Sequence, residues 1–456
     1  MQVITLDYLS DVIVLTQTLS SENGFIWFHN GPESKAGEEW FSAWPTETYQ
    51  YLGQNSCQVS CFSGETEHLV RDYFELLKSK LGEPANTPSK GLFTGGLAGH
   101  LNYEIGLETQ GVATKHACST EDKTLATVGL YHWACKVDHN NQSIEVFIRS
   151  ECPTGIKEKI EQWASSNTEQ KDNQTKQSNS NLHWQCSMSY EHYCRAFKKV
   201  KDYIYAGDIY QANLTRQWSS TSNVTPWANY CKLLSSMSAP FSFYHAVDDV
   251  AVMSVSPERF LQVKGDTIFT QPIKGTRARG ITPQADEWLK IELQNSVKDQ
   301  AENLMIVDLL RNDIAKNAEP GSVTVDKLFE LQSFKNVHHL VSSIRARKLP
   351  TSHPLDILKD AFPGGSITGA PKKRAMEIID ELEVVQRRQY CGTAFFLSFE
   401  GYLDSNIMIR TLTQRGNELT CSGGGGLVYD SDLDSEYQES ELKIQRLLDA
   451  LTENTL

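Results

Sequence analysis

Apolar positions are most regular after residue 183. Tyr193, Phe197, Val200 and Ile204 recur at spacings of three and four, which places them on one helical face. Ser189 can cap that helix and Gly207 can stop it. Ile209 to Trp218 alternates as a strand does, and Val250–Val255, Phe260–Val263 and Thr267–Thr270 read as short strands. Lys264-Gly265-Asp266 joins the last two as a hairpin. Helices are predicted over Asp299–Lys316, over Pro371–Leu382 with proline in the first turn, and over Asp434–Leu451. Gly423–Gly426 reads as a loop before the last of these. Strand runs and helix runs are segregated, which predicts an α+β fold with largely antiparallel sheets.

One stretch breaks this pattern. Ser165 to Asn181 (SSNTEQKDNQTKQSNSN) holds no apolar residue and cannot bury a face, so it predicts a surface loop or linker. The chain therefore divides into an N-terminal region 1–164, a polar linker 165–182 and a C-terminal region 183–456. No internal repeat at solenoid periods is visible.

Composition narrows the function classes. Hydrophobic residues at 39% and charged residues at 22% of 456 suit a globular protein with a sizeable core. Net charge is 43 − 57 = −14, which opposes nucleic-acid binding and requires a local basic island or a metal for any anionic substrate. No apolar run approaches the ~18 residues of a membrane span. The first residues carry Asp7 and no basic cluster before an apolar run, so no export signal is expected and the expected location is cytoplasmic. The ten cysteines form no Cys-x-x-Cys and no zinc spacing, and read as reduced, mostly buried thiols.

Four groupings could carry chemistry. Lys274, in Pro272-Ile273-Lys274-Gly275-Thr276 closing a strand, is either a solvated charge or a desolvated nucleophile. Asp299 and Glu302 stand three apart on one helix, and Glu436 and Glu439 repeat that spacing on the last. The four carboxylates are either solvated faces or a convergent site for Mg²⁺, although the apolar run after Glu302 argues for burial. The glycine-rich stretches Pro363–Lys372 and Gly423–Gly426 could present backbone N–H groups to an anion, but neither has the ending of a phosphate-binding P-loop. Glu258, in Ser256-Pro257-Glu258, is a turn carboxylate or a proton donor, and Arg410 and Lys443 are cations available to substrate carboxylates.

In their order, these segments resemble the chorismate-utilising enzymes, the group that includes anthranilate synthase component I and the aminodeoxychorismate, isochorismate and salicylate synthases. The resemblance covers Ser189 to Leu448. It runs through Gly207–Thr215, Ser256-Pro257-Glu258, Pro272–Thr276, Ala301–Leu309, His339–Ser342, Gly369–Lys372 and the glycine stretch with Glu436 and Glu439. It implies a two-lobed α/β sandwich with N-terminal strands woven in. Lys274 resembles the aminodeoxychorismate branch, since anthranilate synthases typically carry alanine there. Gln211 stands where isochorismate and salicylate synthases place a water-activating lysine.

Further expectations follow from the resemblance alone. Glu302 and Glu439 would hold Mg²⁺, with Asp299 and Glu436 nearby through water. Arg410, Tyr390, Gly424 and Gly426 would grip the substrate, helped by Lys443, Ser366, Thr368 and His339. Lys274 would attack chorismate covalently, with Glu258 as general acid/base. Ammonia would come from a separate glutamine amidotransferase subunit in a heterodimer, and the product would feed para-aminobenzoate and folate synthesis. Trp27-Phe28-His29-Asn30 occupies the place of one wall of the family's tryptophan pocket, and Pro240-Phe241-Ser242 resembles the other, so tryptophan is a further candidate ligand. Anthranilate synthase component I and a non-catalytic amino-acid-binding regulatory subunit are the alternatives. Retention of Glu258, Lys274 and all four carboxylates opposes the second.

Overall fold

The computed structural model describes residues 1–31, 37–82, 93–116, 123–166, 182–334 and 337–452. Most of the polar linker, 167–181, lies outside the described residues, while Ser165 and Ser166 end the helix Thr154–Ser166. Two large antiparallel sheets pack face to face. Between them lie Ile26, Trp40, Phe93, Ala98, Phe243, Val252, Phe396 and Met408, drawn from both sheets and from distant parts of the chain. Successive strand residues serve opposite faces. Ile26 points into this sandwich, while Phe25 and Trp27 pack on the first sheet's other side with helices such as Pro226–Ser236 and Leu433–Thr452.

The N-terminal strands are integral to both sheets. Phe25–His29 pairs with Phe241–Val247 (Ser242 opposite His29), and Gly96–Leu101 pairs with Thr393–Ser398 (Ala98 opposite Phe396). Helices Tyr73–Leu81, Val297–Ala315 and Pro354–Ala361 contribute to the core beneath the second sheet. The architecture is thus the α+β, largely antiparallel sandwich with woven N-terminal strands. Among the described residues no helix is long and apolar enough to cross a membrane. Nine of the ten cysteines are free thiols, and Cys118 lies outside the described residues.

Local signals held where capping chemistry was present. Ser189 caps Tyr190–Tyr205 by accepting the His192 N–H. Ser296 caps Val297–Ala315 through the Asp299 N–H, and Pro371 is the N-cap of Lys372–Leu382 rather than part of its first turn. Two expectations need correction. Gly423–Gly426 is no loop but part of the strand Glu418–Leu427, paired with Gln211–Thr221. A Cβ at Gly423 would lie 2.5 Å from the Ser440 carbonyl oxygen of the last helix, and one at Gly424 would lie 2.4 Å from that of Leu214. Bare backbone is what lets the layers approach. Gly424→Ala should therefore destabilise the fold by about 1–3 kcal/mol through overpacking; an unchanged denaturation midpoint would refute that contact.

The second correction concerns Lys274, which opens the strand Ile273–Ala278 instead of closing one. Thr267–Thr270 ends before Pro272, whose missing N–H cannot continue a ladder. A bulge follows at Gly275, where the register against Val337–Arg347 shifts between Lys274 and Thr276. Gly275 has φ of 80°, and a side chain there would meet Leu293 at 2.9 Å and Asp299 at 3.0 Å.

Candidate active site

Glu258, Lys274 and Ser366 come from three separate segments and meet. The Ser256 hydroxyl donates to the Ile407 carbonyl at 2.6 Å and accepts the Glu258 N–H at 3.2 Å, fixing the turn that carries Glu258. The Glu258 carboxylate is buried, where the Ser366 side chain and the Ile273 N–H bond to it. Lys274 Nζ donates to the Ser366 carbonyl at 3.1 Å. Burial pushes the Glu258 carboxyl up despite Ser366 and Lys274. Burial pushes the Lys274 amine down, opposed by Glu302, reinforced by Lys443, and opposed again by Glu258 and Glu439. Burial thus disfavours the charged form of both groups.

Above this pair, carboxylates of Val297–Ala315 face those of Leu433–Thr452. Lys298 Nζ lies 4.0 Å from Glu302 and 3.8 Å from Glu436, an ammonium between two helices' carboxylates. Ser431 donates to Glu436 at 2.7 Å, and Glu439 pairs with Lys443 at 2.7 Å. Burial raises the Glu302 and Glu436 carboxyls, and neighbouring carboxylates add to it. Burial acts the same way on Glu439, but the ammonium groups of Lys443, Lys298 and Lys274 together outweigh it and hold that carboxyl low. Gly425 forms the floor: a Cβ there would lie 3.1 Å from Glu436 and 3.8 Å from Glu439. Asp299 is turned away toward Arg277, 3.1 Å from its guanidinium.

Among the described residues, no three His, Cys, Asp or Glu side chains converge closely enough to enclose an ion. The donors are all oxygens, few in number, and compensated by ammonium groups. That chemistry fits a hard, largely hydrated divalent cation such as Mg²⁺, which keeps several waters and takes one or two carboxylates.

The remaining site residues fall into two sets. Arg410, at φ 51°, has a guanidinium with no carboxylate partner among the described residues, and burial lowers its pKa. Such a cation is matched to an anionic ligand. His339 is held at about 4 by burial and then by Arg410, so it is neutral, and Nδ1 lies 2.9 Å from the Thr276 hydroxyl. Lys443 donates to the Gly424 carbonyl at 3.0 Å, bringing cation and glycine strand together. Gly426 packs against Gln211, whose fully buried amide has no hydrogen-bond partner on either atom. By contrast, the Thr368 hydroxyl donates to the Gly364 carbonyl at 3.0 Å and so is engaged within its own loop. Tyr390 is buried beside Cys391 and Arg387, and burial drives its phenol well up.

The two expected walls of a tryptophan pocket are adjacent. Ser242 pairs with His29, Asn30 donates to the Glu38 carbonyl at 3.3 Å, Pro240 precedes the strand, and Arg259 stacks over Phe241 at 4.8 Å. Beside them the chain supplies its own rings: Trp27 stacks on His29 at 3.8 Å, and His29 bonds to Tyr230 at 2.7 Å.

Several contributors escaped the sequence reading. Lys298 precedes Glu302 by four residues, a spacing that could have revealed it. Glu383 and Arg387 share that four-residue spacing, but the main-chain groups they hold are distant in sequence; Arg277 reaches Asp299 through a tertiary contact, and Ser431 reaches Glu436 from just before its helix.

Comparison with known proteins gives a consistent picture. A family model described as chorismate binding enzyme matches residues 34–449. The chain is 42% identical over 359 residues to aminodeoxychorismate synthase component 1 of Klebsiella aerogenes, spanning 79% of this chain and 78% of that protein. The Escherichia coli K12 protein of the same name is 41% identical over 361 residues, spanning 79% and 77%. The crystal structure of anthranilate synthase component I from Streptococcus pneumoniae TIGR4 superposes with a TM-score of 0.79 at 26% identity, covering 92% of each chain.

Proposed function

The chain belongs to the chorismate-binding enzyme family, and from that premise we propose that it aminates chorismate to 4-amino-4-deoxychorismate. The observation that carries this reading is Lys274, buried against Ser366 and Glu258 in the field of Glu302 and Glu439. An amine so placed is desolvated, aimed into the site and paired with an acid.

Chorismate is a dianion, and an acidic chain must neutralise it locally. Arg410 and Lys443 supply cations for one carboxylate, and the Gly424 backbone lies beside Lys443. Mg²⁺ held by Glu302 and Glu439, with Glu436 and Asp299 further out, would supply positive charge for the other carboxylate and make the ring more electrophilic. The neutral Lys274 amine adds at ring carbon 2 while Glu258 protonates the departing 4-hydroxyl, which leaves as water. Ammonia then adds at carbon 4, the bond to Lys274 breaks and returns the neutral amine, and the Glu258 carboxylate takes a proton from the new ammonium group, restoring both residues. Nitrogen replaces oxygen, the enolpyruvyl group stays, and two displacements replace one difficult step.

The relatives named above are each called component 1, which supports a second component. We assign that role to a glutamine amidotransferase delivering ammonia. The pure chain, given chorismate, Mg²⁺ and an ammonium salt, should form a product with the mass of aminodeoxychorismate, faster at high pH where free NH₃ rises. Glutamine alone should yield none. Release of pyruvate with an aromatic amine would overturn the assignment in favour of anthranilate formation, and robust glutamine use by the chain alone would refute the separate donor.

A further inference from the structure

Glu383 and Arg387 form a buried ion pair that the mechanism above does not use. Arg387 Nε donates to Glu383 at 2.9 Å and Nη2 donates to its other oxygen at 2.6 Å. Both side chains are almost wholly enclosed, and burying such a pair costs several kcal/mol unless further hydrogen bonds offset it. Those bonds are present, and each goes to main chain. Arg387 donates to the Ile367 carbonyl at 2.8 Å and to the Asn213 carbonyl, while Glu383 accepts the Thr215 N–H at 2.9 Å. The Asn213 N–H in turn donates to the Thr368 carbonyl at 2.8 Å. One guanidinium thus ties the strand Gln211–Thr221 to the turn Gly365–Ile367.

That turn carries Ser366. Its carbonyl receives the Lys274 amine and its side chain bonds to Glu258, one peptide away from the carbonyl Arg387 holds. We propose that Arg387, oriented by Glu383, is a positioning residue that fixes the Ser366 peptide and through it aligns Lys274 with Glu258. The inference rests on the catalytic roles given to those two groups. A purely structural pair would not need a planar fork reaching two carbonyls on different segments; a lysine could satisfy Glu383 alone.

The test is Arg387→Lys, which keeps the charge and loses the fork. In folded protein, kcat should fall by about 100-fold, the cost of a misplaced reacting group, while KM for chorismate stays near the wild-type value. In a Lys274→Ala background the same substitution should cost little further rate, because the group it aligns is gone. Wild-type kcat in folded Arg387→Lys would overturn the proposal, as would equal fold losses in both backgrounds. Should Arg387→Lys fail to fold, the double variant Arg387→Met with Glu383→Met removes both charges at similar volume. The same selective loss of kcat is expected, and wild-type kcat there overturns the proposal equally. The underlying reading fails differently: Lys274→Ala alone would then turn over at the wild-type rate, whatever the Arg387 variants do.

Discussion

Lys274→Ala should lower turnover by at least about 100-fold, the scale on which a positioned catalytic side chain acts, while chorismate and Mg²⁺ binding persist. Among the described residues the amine's one hydrogen-bond partner is the Ser366 carbonyl, so its removal takes away no group assigned to hold either ligand. Added small primary amines should restore part of the rate by entering the vacated space. The pH profile provides a second check. The reactive state, free amine beside protonated acid, holds the same single proton as the ion pair Lys274-NH₃⁺/Glu258-COO⁻. Burial lowers the lysine and raises the glutamate, so it favours the neutral arrangement without changing the proton count. At constant free NH₃, the wild-type rate should therefore show a plateau. It should fall at low pH when both groups are protonated and at high pH when neither is. A Lys274→Ala enzyme with wild-type turnover would remove the covalent step and leave direct ammonia addition.

Glu302→Gln and Glu439→Gln should each reduce Mg²⁺-dependent turnover by more than about 100-fold, since losing a ligand's charge exceeds the 10–100-fold typical of outer-shell changes. The fold should survive, because both carboxylates sit on helix faces whose other sides supply the core. Each also repels a neighbouring carboxylate. Thermal unfolding without Mg²⁺ should therefore be unchanged or slightly later in Glu302→Gln, whereas Glu439→Gln, which loses the pairing with Lys443, should unfold slightly earlier. An unaltered Mg²⁺ response in either would exclude that residue from the site.

The two variants draw on different levels of the sequence. Helix ends announced themselves through local chemistry, as with Ser189, and Thr267–Thr270 was bounded by its turn. The strand Phe25–His29 offered no alternation, because helices cover one face and the second sheet covers the other. It pairs on one side with the nearby Glu38–Ser42, but its other partner lies more than two hundred residues away, with Ser242 opposite His29, and nothing local encodes that second pairing. Gly423–Gly426 was misread for a related reason: glycine ordinarily interrupts strands, and its purpose here appears only with Ser440 and Leu214 packed against it.

The site itself was more legible. Lys274, Glu258 and the carboxylates stand in recognisable order along the chain, and the fold brings Lys274 within hydrogen-bonding or electrostatic reach of Glu258, Glu302 and Glu439. The supports were not legible. Arg277 holds Asp299 and Arg387 holds the Ser366 turn across separations no periodicity records, while Ser431 holds Glu436 from just outside the helix that carries it. Chemistry-bearing residues cluster in motifs, whereas the groups that aim them are chosen by packing.

Covalent catalysis by Lys274 can be observed directly. Wild-type protein mixed with chorismate and Mg²⁺, but no ammonia, should gain the mass of chorismate less one water, and peptide mapping should locate it on Lys274. Adding an ammonium salt should discharge it as aminodeoxychorismate. Protein that stays unmodified through such mixing, yet turns over at full rate once ammonia is supplied, would contradict the account.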